Sequence, residues 1–293
     1  MLNCIFLGCN KKQIPYLLTL LQQGFKVFVF DREAMPIKVE NCEIFRIAYS
    51  DVDQIIQCLI MNNVKIDLLF SAGDQASQFY LSKIAEYFDL PFGDGKIIER
   101  ILDKSKFYQD FEKYNINIPN TKYVITPLEY KNYVTMMLHD NKKIYIKSDF
   151  SKNPRYIYTA TDGEIPELNW NKDRYFQKYY ILQPEIRGDN LRINIVGNEI
   201  FVFDFFSGNL VTDLTLYSDR FKKLIECYKK IIEYYDIQKY VVKFDAIYNG
   251  KEFFTLDIGI DPPQRLLKLF ADEGKNFYEF YLDHYNSINF GIK

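Results

Sequence analysis

Histidine is almost missing from this chain: His139 and His284 are the only two among 293 residues. Neither has a serine or cysteine neighbour in sequence, so no nucleophile–base pair can be read from the histidines. The five cysteines (Cys4, Cys9, Cys42, Cys58, Cys227) show no C-x-x-C spacing and are odd in number. That pattern argues against a disulfide framework or a zinc site and for reduced thiols in a cytoplasmic protein. No apolar run approaches the roughly 20 residues of a membrane span. The lysines of "MLNCIFLGCNKK" follow the apolar run instead of preceding it, unlike a secretory signal. An excess of one charge is lacking too. The 37 basic and 39 acidic residues leave a net charge of −2, and the basic pairs are scattered. Nucleic acid and membrane are therefore not expected as partners. The dinucleotide fingerprint G-x-G-x-x-G is also absent, since "GCNKKQ" follows the first apolar run. Gly8 and Asp31 then read as a tight turn and a strand end.

What is present is ordinary globular material, 48% hydrophobic and 26% charged, long enough for more than one domain. Aromatics reach 17%; with Asn, Lys and Ile also frequent, base composition explains them better than a functional surface. "NCIFLG", "FKVFVFD" and "KIDLLFSAG" are short apolar runs, separated by stretches with helical spacing. Residues 1–99 are therefore expected to form a parallel α/β domain. Two helical stretches follow Gly93 and Gly95, the second ending at Pro119. "KYVIT", "KKIYIKSDF" and "RYIYTA" read as strands around the helix "PLEYKNYVTMML", an α+β subdomain over 100–175. Residues 176–293 read as a further subdomain with the strands "NLRINIV", "EIFVFDFF", "VVKFDAIY" and "EFFTLDIG" and a long helix between them.

The last two strands carry the residues that need explaining. Carboxylates beside a core are costly unless something compensates them. Asn249-Gly250 is a hairpin signal, and a hairpin there brings Asp245 and Asp257 near each other. Asp261 lies two pleats further, on the same face if the strand continues. Oxygen ligands so spaced suit Mg²⁺, which shares its shell with water and phosphate. Cations are found elsewhere: Lys104 at a helix start, Lys147 on a strand face opposite Ile144 and Ile146, and Arg192 on the face opposite Leu191 and Ile193. Each has a plain alternative as a solvated surface charge or a strand-end carboxylate. Together they are what a nucleoside triphosphate with magnesium requires.

At this point the chain resembles the ATP-grasp family, over nearly its whole length. "CIFLGCN" to "LPFGDGKIIERILDK" resembles the N-terminal domain of carbamoyl-phosphate synthetase and purine-pathway members. "DKSKFYQDFEKYNINIPNT" is similar to the family's DK-helix-"gIP" segment, and "IYIKSDF" to the strand whose lysine reaches ATP. "FQKYYILQPEIRGDNLRINIVGNEIFVF" looks like the hinge and following strands. "KFDAIYNGKEFFTLDIGIDP" sits where members carry Asp and then Glu-x-Asn. The resemblance implies an ATP-grasp fold, an N-terminal α/β domain followed by two α+β subdomains that clasp a nucleotide. It implies ATP and Mg²⁺ as cofactors, and Lys104 and Lys147 as phosphate contacts. Gln177, Lys178, Tyr179 and Tyr180 would form the adenine hinge. Arg192 would meet phosphate or the reacting carboxylate, and Asp245 and Asp257 would be magnesium ligands.

The resemblance has gaps. Gly259 stands in place of the family's metal-binding Asn, with Asp261 as the candidate substitute. The phosphate loop "SDFSKNPRYIYTA" has no glycine. Asn190 replaces an acid, a part Asp189 or Glu185 could take. Arg265 is a candidate for docking a substrate carboxylate. The expected activity is ATP-dependent ligation of a small-molecule carboxylate to an amine or thiol, and the resemblance makes a homodimer plausible. The alternative is a degenerate member that binds nucleotide or a partner without turnover.

Overall fold

Apolar residues come in unbroken runs early in the chain and in alternation later, and the two patterns build two kinds of sheet. The computed structural model describes residues 1–33, 39–90, 95–148, 157–161, 163–168, 170, 179–215, 217–261 and 264–290. Gln177, Lys178, Pro262, Pro263 and residues 149–156 of the glycine-free loop lie outside the described residues.

The first sheet is parallel and has the order β3-β2-β1-β4, from β1 (Asn3–Leu7), β2 (Lys26–Phe30), β3 (Cys42–Phe45) and β4 (Leu68–Phe70). Its helices α1 (Ile14–Gln22), α2 (Val52–Met61) and α3 (Gln75–Phe88) follow the expected alternation. Asp51 caps α2 by accepting the Gln54 N–H, and Asp74 caps α3 by accepting that of Ser77. The edge strand β3 was not expected: "CEIF" is half-exposed, and its short mixed pattern carries no period-two signal.

Two antiparallel sheets follow. One has the order β5-β8-β6-β7, from β5 (Lys122–Val124), β6 (Lys143–Ser148), β7 (Ile157–Thr161) and β8 (Tyr180–Pro184). The other has the order β10-β9-β11-β12, from β9 (Asp189–Val196), β10 (Glu199–Asp204), β11 (Val242–Tyr248) and β12 (Phe253–Gly259). Helix α6 (Pro127–Asp140) covers the smaller sheet, opened by a Thr126/Glu129 capping box. Around it Val124, Val134, Ile144, Ile146 and Leu182 form a separate apolar core. The larger core joins the first and third sheets. Helices α4 (Gly95–Leu102) and α5 (Lys104–Lys113) bury Ile98, Ile101, Phe107 and Phe111 in that larger core. The small unit's own core thus begins beyond α5 and includes β8, whereas the sequence suggested a unit running over 100–175.

Three local details differ from the sequence reading. Helix α5 ends at Lys113 and not at Pro119, because Asn115 turns into the left-handed region at φ 57. The turn between β11 and β12 spans four residues: Asn249 receives the Lys251 and Glu252 N–H groups on its side chain, and Tyr248 pairs with Phe253. Helix α8 (Gln264–Asp272), not set out as an element in the sequence, follows β12 and precedes α9 (Phe277–Phe290), while α7 (Ser218–Tyr234) is the long helix expected between the strands.

Tyr108 of α5 is fully buried and donates its hydroxyl to the Leu256 carbonyl at 2.7 Å. Replacing it with Phe keeps the volume but strands that carbonyl, so Tyr108→Phe should cost about 1–3 kcal/mol. Urea unfolding should show a lower midpoint at unchanged slope; an unmoved midpoint would mean that the bond contributes nothing.

Candidate active site

Strands β11 and β12 pair residue for residue from the turn to Ala246 and Thr255, and there the register shifts. Leu256 is the extra residue of a β-bulge, so Asp245 pairs with Asp257 and not with Leu256. Without the bulge Asp257 would stand opposite Phe244, on the core face. With it, both carboxylates lie on the face away from the core. The neighbouring ladder adds the next charge: Arg192 of β9 pairs with Asp245. Its guanidinium holds that carboxylate in bidentate fashion, Nε at 2.7 Å and Nη2 at 2.8 Å.

Lys104 approaches Asp257 from α5, with Nζ at 3.0 Å from Oδ1. It is only 6% exposed. Asp103 opens α5 by accepting the Ser105 and Lys106 N–H groups, and Tyr179 donates its hydroxyl to the same carboxylate. Lys147 comes from β6 in the small sheet. A cleft of about 680 Å³ gathers these groups: Lys104, Lys147, Arg192, Asp245 and Asp257 all line it. Burial, and then the neighbouring Lys104, lower the Lys147 ammonium to about 8, against the opposing pull of Asp257 and Asp245.

The other expected residues are placed less uniformly. Glu185 lines the cleft and is held by Arg187 at 3.1 Å and Lys143 at 3.4 Å. The hydrogen bond from Arg187, and less strongly that from Lys143, keeps it below the usual carboxylate range despite some desolvation. Tyr179 spends its hydroxyl on α5, and Tyr180 packs against Trp170 in the small core with ring centroids 5.0 Å apart; neither side chain lines the cleft. Arg265 is also absent from the lining. It donates to the Asp204 carbonyl at 2.8 Å and to the Phe205 carbonyl, so its guanidinium is tied to the end of β10. Asp261 does not line this cleft and is bound to Lys243 at 2.6 Å. Among the described residues no group of three or more His, Cys, Asp or Glu side chains gathers to hold a metal. Asp245 and Asp257 still fit magnesium, because that ion takes one or two carboxylates and fills its shell with water and phosphate oxygens.

No model of a known protein family matches the sequence, and no curated protein matches it. Solved structures do. An L-amino acid ligase from Bacillus licheniformis superposes with a TM-score of 0.68 at 13% identity, over 96% of this chain and 73% of that one. A phosphoribosylglycinamide synthetase from Anaerococcus prevotii gives 0.60 at 18%, over 88% and 68%. A D-alanine–D-alanine ligase from Bacillus anthracis, solved with ATP, gives 0.62 at 12%, over 99% and 97%. The chain has the ATP-grasp fold.

Two features of this ATP-grasp cleft escaped the sequence reading. Lys243 lines it from β11, two residues before Asp245 and so on the same face; the alternation "KFD" was the available signal. Its stem lies across Gly259, where an added Cβ would meet Lys243 Cε at 2.3 Å. Phe205 and Phe206 also line the cleft. Phe205 packs between the guanidinium groups of Arg192 and Arg265, 4.9 and 5.5 Å from its ring centre. Nothing in "DFFSGN" announced that.

A polyphosphate in this cleft favours charged Lys147, whose proton is half lost at about pH 8 in the free protein. Tripolyphosphate binding should therefore take up protons above that pH and weaken by up to about tenfold per pH unit. Calorimetry in two buffers of different ionisation enthalpy reads the uptake, and Lys147→Met should abolish it. Uptake unchanged in that variant would assign the proton elsewhere.

Proposed function

We propose that this chain is an ATP- and magnesium-dependent ligase that joins a carboxylate to an amine, or less often a thiol, through an acyl phosphate. One observation carries the proposal: a single cleft brings Lys104, Lys147 and Arg192 from three different strands and helices to the paired carboxylates Asp245 and Asp257. The fold shared with ligases, one of them solved with ATP, supports the same reading.

In this reading a substrate carboxylate oxygen attacks the γ-phosphorus, and the bond from phosphorus to the ADP oxygen breaks. The amine nitrogen then attacks the acyl carbon, and inorganic phosphate leaves with the electron pair of the C–O bond. The work is positioning and charge neutralisation, and no protein nucleophile takes part. Lys104 and Lys147 meet the phosphates, and Arg192 meets the transferred phosphoryl group or the reacting carboxylate. Asp245 and Asp257 are the residues that would hold magnesium, whose contribution when bound is to neutralise phosphate oxygens. Glu185, at the cleft wall, is the candidate for the ribose.

A second reading, a nucleotide-binding member of the fold without turnover, is favoured by the Lys243 stem over Gly259. A side chain at 259 would have to displace it. Calorimetry with ATP, with and without Mg²⁺, and a screen of carboxylate–amine pairs for phosphate release separate the two. Magnesium-dependent binding with release by one pair is expected for the ligase; binding without release by any pair supports the second reading. In the ligase, Asp257→Asn should lower kcat at least ~10²-fold, about 2.7 kcal/mol. Unchanged turnover in that variant would remove Asp257 from the metal site.

A further inference from the structure

Phe206 is 77% exposed, although an aromatic ring gains by leaving water. Apolar residues scattered singly on a surface need no explanation, but this one lines the large cleft, beside Phe205. The two rings meet edge to face, with centroids 5.5 Å apart and planes at 85°. The turn that carries them is tied at several points. The Asp204 side chain accepts the Phe206 and Ser207 N–H groups, and its carbonyl accepts that of Gly208. Phe205 donates its N–H to the Asn190 carbonyl at 2.7 Å, and Arg265 holds the Asp204 and Phe205 carbonyls. The open ring stands on a fixed support, not on a frayed tip.

Its place among the charges decides what it meets. Strand pairing sets Phe203, Arg192, Asp245 and Asp257 in one row across the sheet, with Lys104 beyond Asp257. Phe205 and Phe206 continue β10, at the opposite end of that row from Lys104. The carboxylates and Lys104 thus lie on one side of Arg192 and the aromatic pair on the other. Arg192 touches both sides. Its guanidinium is 4.9 Å from the Phe205 ring centre. Asp245 takes its Nε and Nη2, and a guanidinium has five N–H donors, which leaves donors for a second carboxylate. An acid bound there is repelled by Asp245 on one side and finds two rings on the other. A second charge on the acid would lose hydration against those rings, whereas an apolar body gains by covering them.

We infer that the acid taken by this cleft is a monocarboxylate with an apolar body, aryl or bulky alkyl, which covers Phe206 while its carboxylate pairs with Arg192. Calling it a substrate rests on the ligase reading; its binding does not. Phe206 is then the residue that sets the preference among acids.

The test follows amide NMR shifts of the full protein on titration with 3-phenylpropanoate, propanoate, succinate and 3-phenylpropanamide, with Mg²⁺ and a non-hydrolysable ATP analogue present. Binding of the analogue itself is measured in parallel. 3-Phenylpropanoate should shift the Phe206, Ser207 and Gly208 amides and bind at least about tenfold more tightly than each of the others. Propanoate and succinate do not cover the ring, and the amide brings no charge to Arg192. Phe206→Ala should reduce the preference over propanoate at least about fivefold, and Phe206→Tyr should keep it. The side chain is exposed, so an unmoved urea midpoint is expected for both variants. Propanoate binding as tightly as 3-phenylpropanoate, the amide binding as tightly as the acid, or a preference undiminished in Phe206→Ala would overturn the inference, and a bound ATP analogue would then leave the ligase reading standing. Preferential binding of 3-phenylpropanoate by a protein that does not bind the analogue would instead overturn the ligase reading and leave the acid site in place.

Discussion

One extra residue in β12 decides the chemistry of the large cleft. Strand side chains alternate, so inserting Leu256 turns Asp257 from the core face to the face of Asp245. Two carboxylates side by side repel each other, and each is met by a cation from another element: Arg192 on Asp245 and Lys104 on Asp257. Tyr108 fixes the bulge by capping the Leu256 carbonyl, and Tyr108 is four residues from Lys104 on the same helix. The bulge and its charge partner are thus held by one element, and a shift of α5 would move both.

The two cores explain why Lys147 is attached differently from the rest. Lys104, Arg192, Asp245 and Asp257 all stand on elements of the larger core. Lys147 stands on the small sheet, with its own core around Val134, Ile144 and Ile146. The Tyr179 hydroxyl crosses between them, from the end of the small unit to the Asp103 carboxylate at the start of α5. A motion of the small unit relative to the large one would carry Lys147 and leave the carboxylates in place, the geometry of a clasp.

Much of this was legible in the sequence, for reasons that differ by residue. Alternation placed Arg192 and Lys147 on polar faces, and the Asn249-Gly250 signal joined β11 to β12. The bulge was not legible, since nothing in "FFTLDIG" marks Leu256 as extra. The hairpin signal brought Asp245 near Asp257 without fixing their register: a two-residue turn would set Asp245 opposite Phe254, whereas the four-residue turn and the bulge together make the pair. Arg265 and Asp261 were read from proximity in sequence to the last motif. Their partners, the Asp204 and Phe205 carbonyls and Lys243, come from β10 and β11, and tertiary pairing is not written in local sequence.

The ion pairs have a consequence for how ligands enter. Each site carboxylate is engaged by a cation, and each of those cations is what a phosphate group would draw toward itself. A polyanion that takes Lys104 or Arg192 weakens the hold on Asp257 or Asp245 and leaves a carboxylate in want of positive charge, which a divalent ion supplies. A divalent ion arriving first weakens the same pairs from the other side. Ligands of these two kinds would be coupled through shared partners with no change of fold, and thermodynamic reciprocity would require each to raise the affinity for the other equally. Lys243 tempers this at one end. Tied to Asp261 and lying over Gly259, its ammonium is held by a carboxylate outside the Asp245–Asp257 pair.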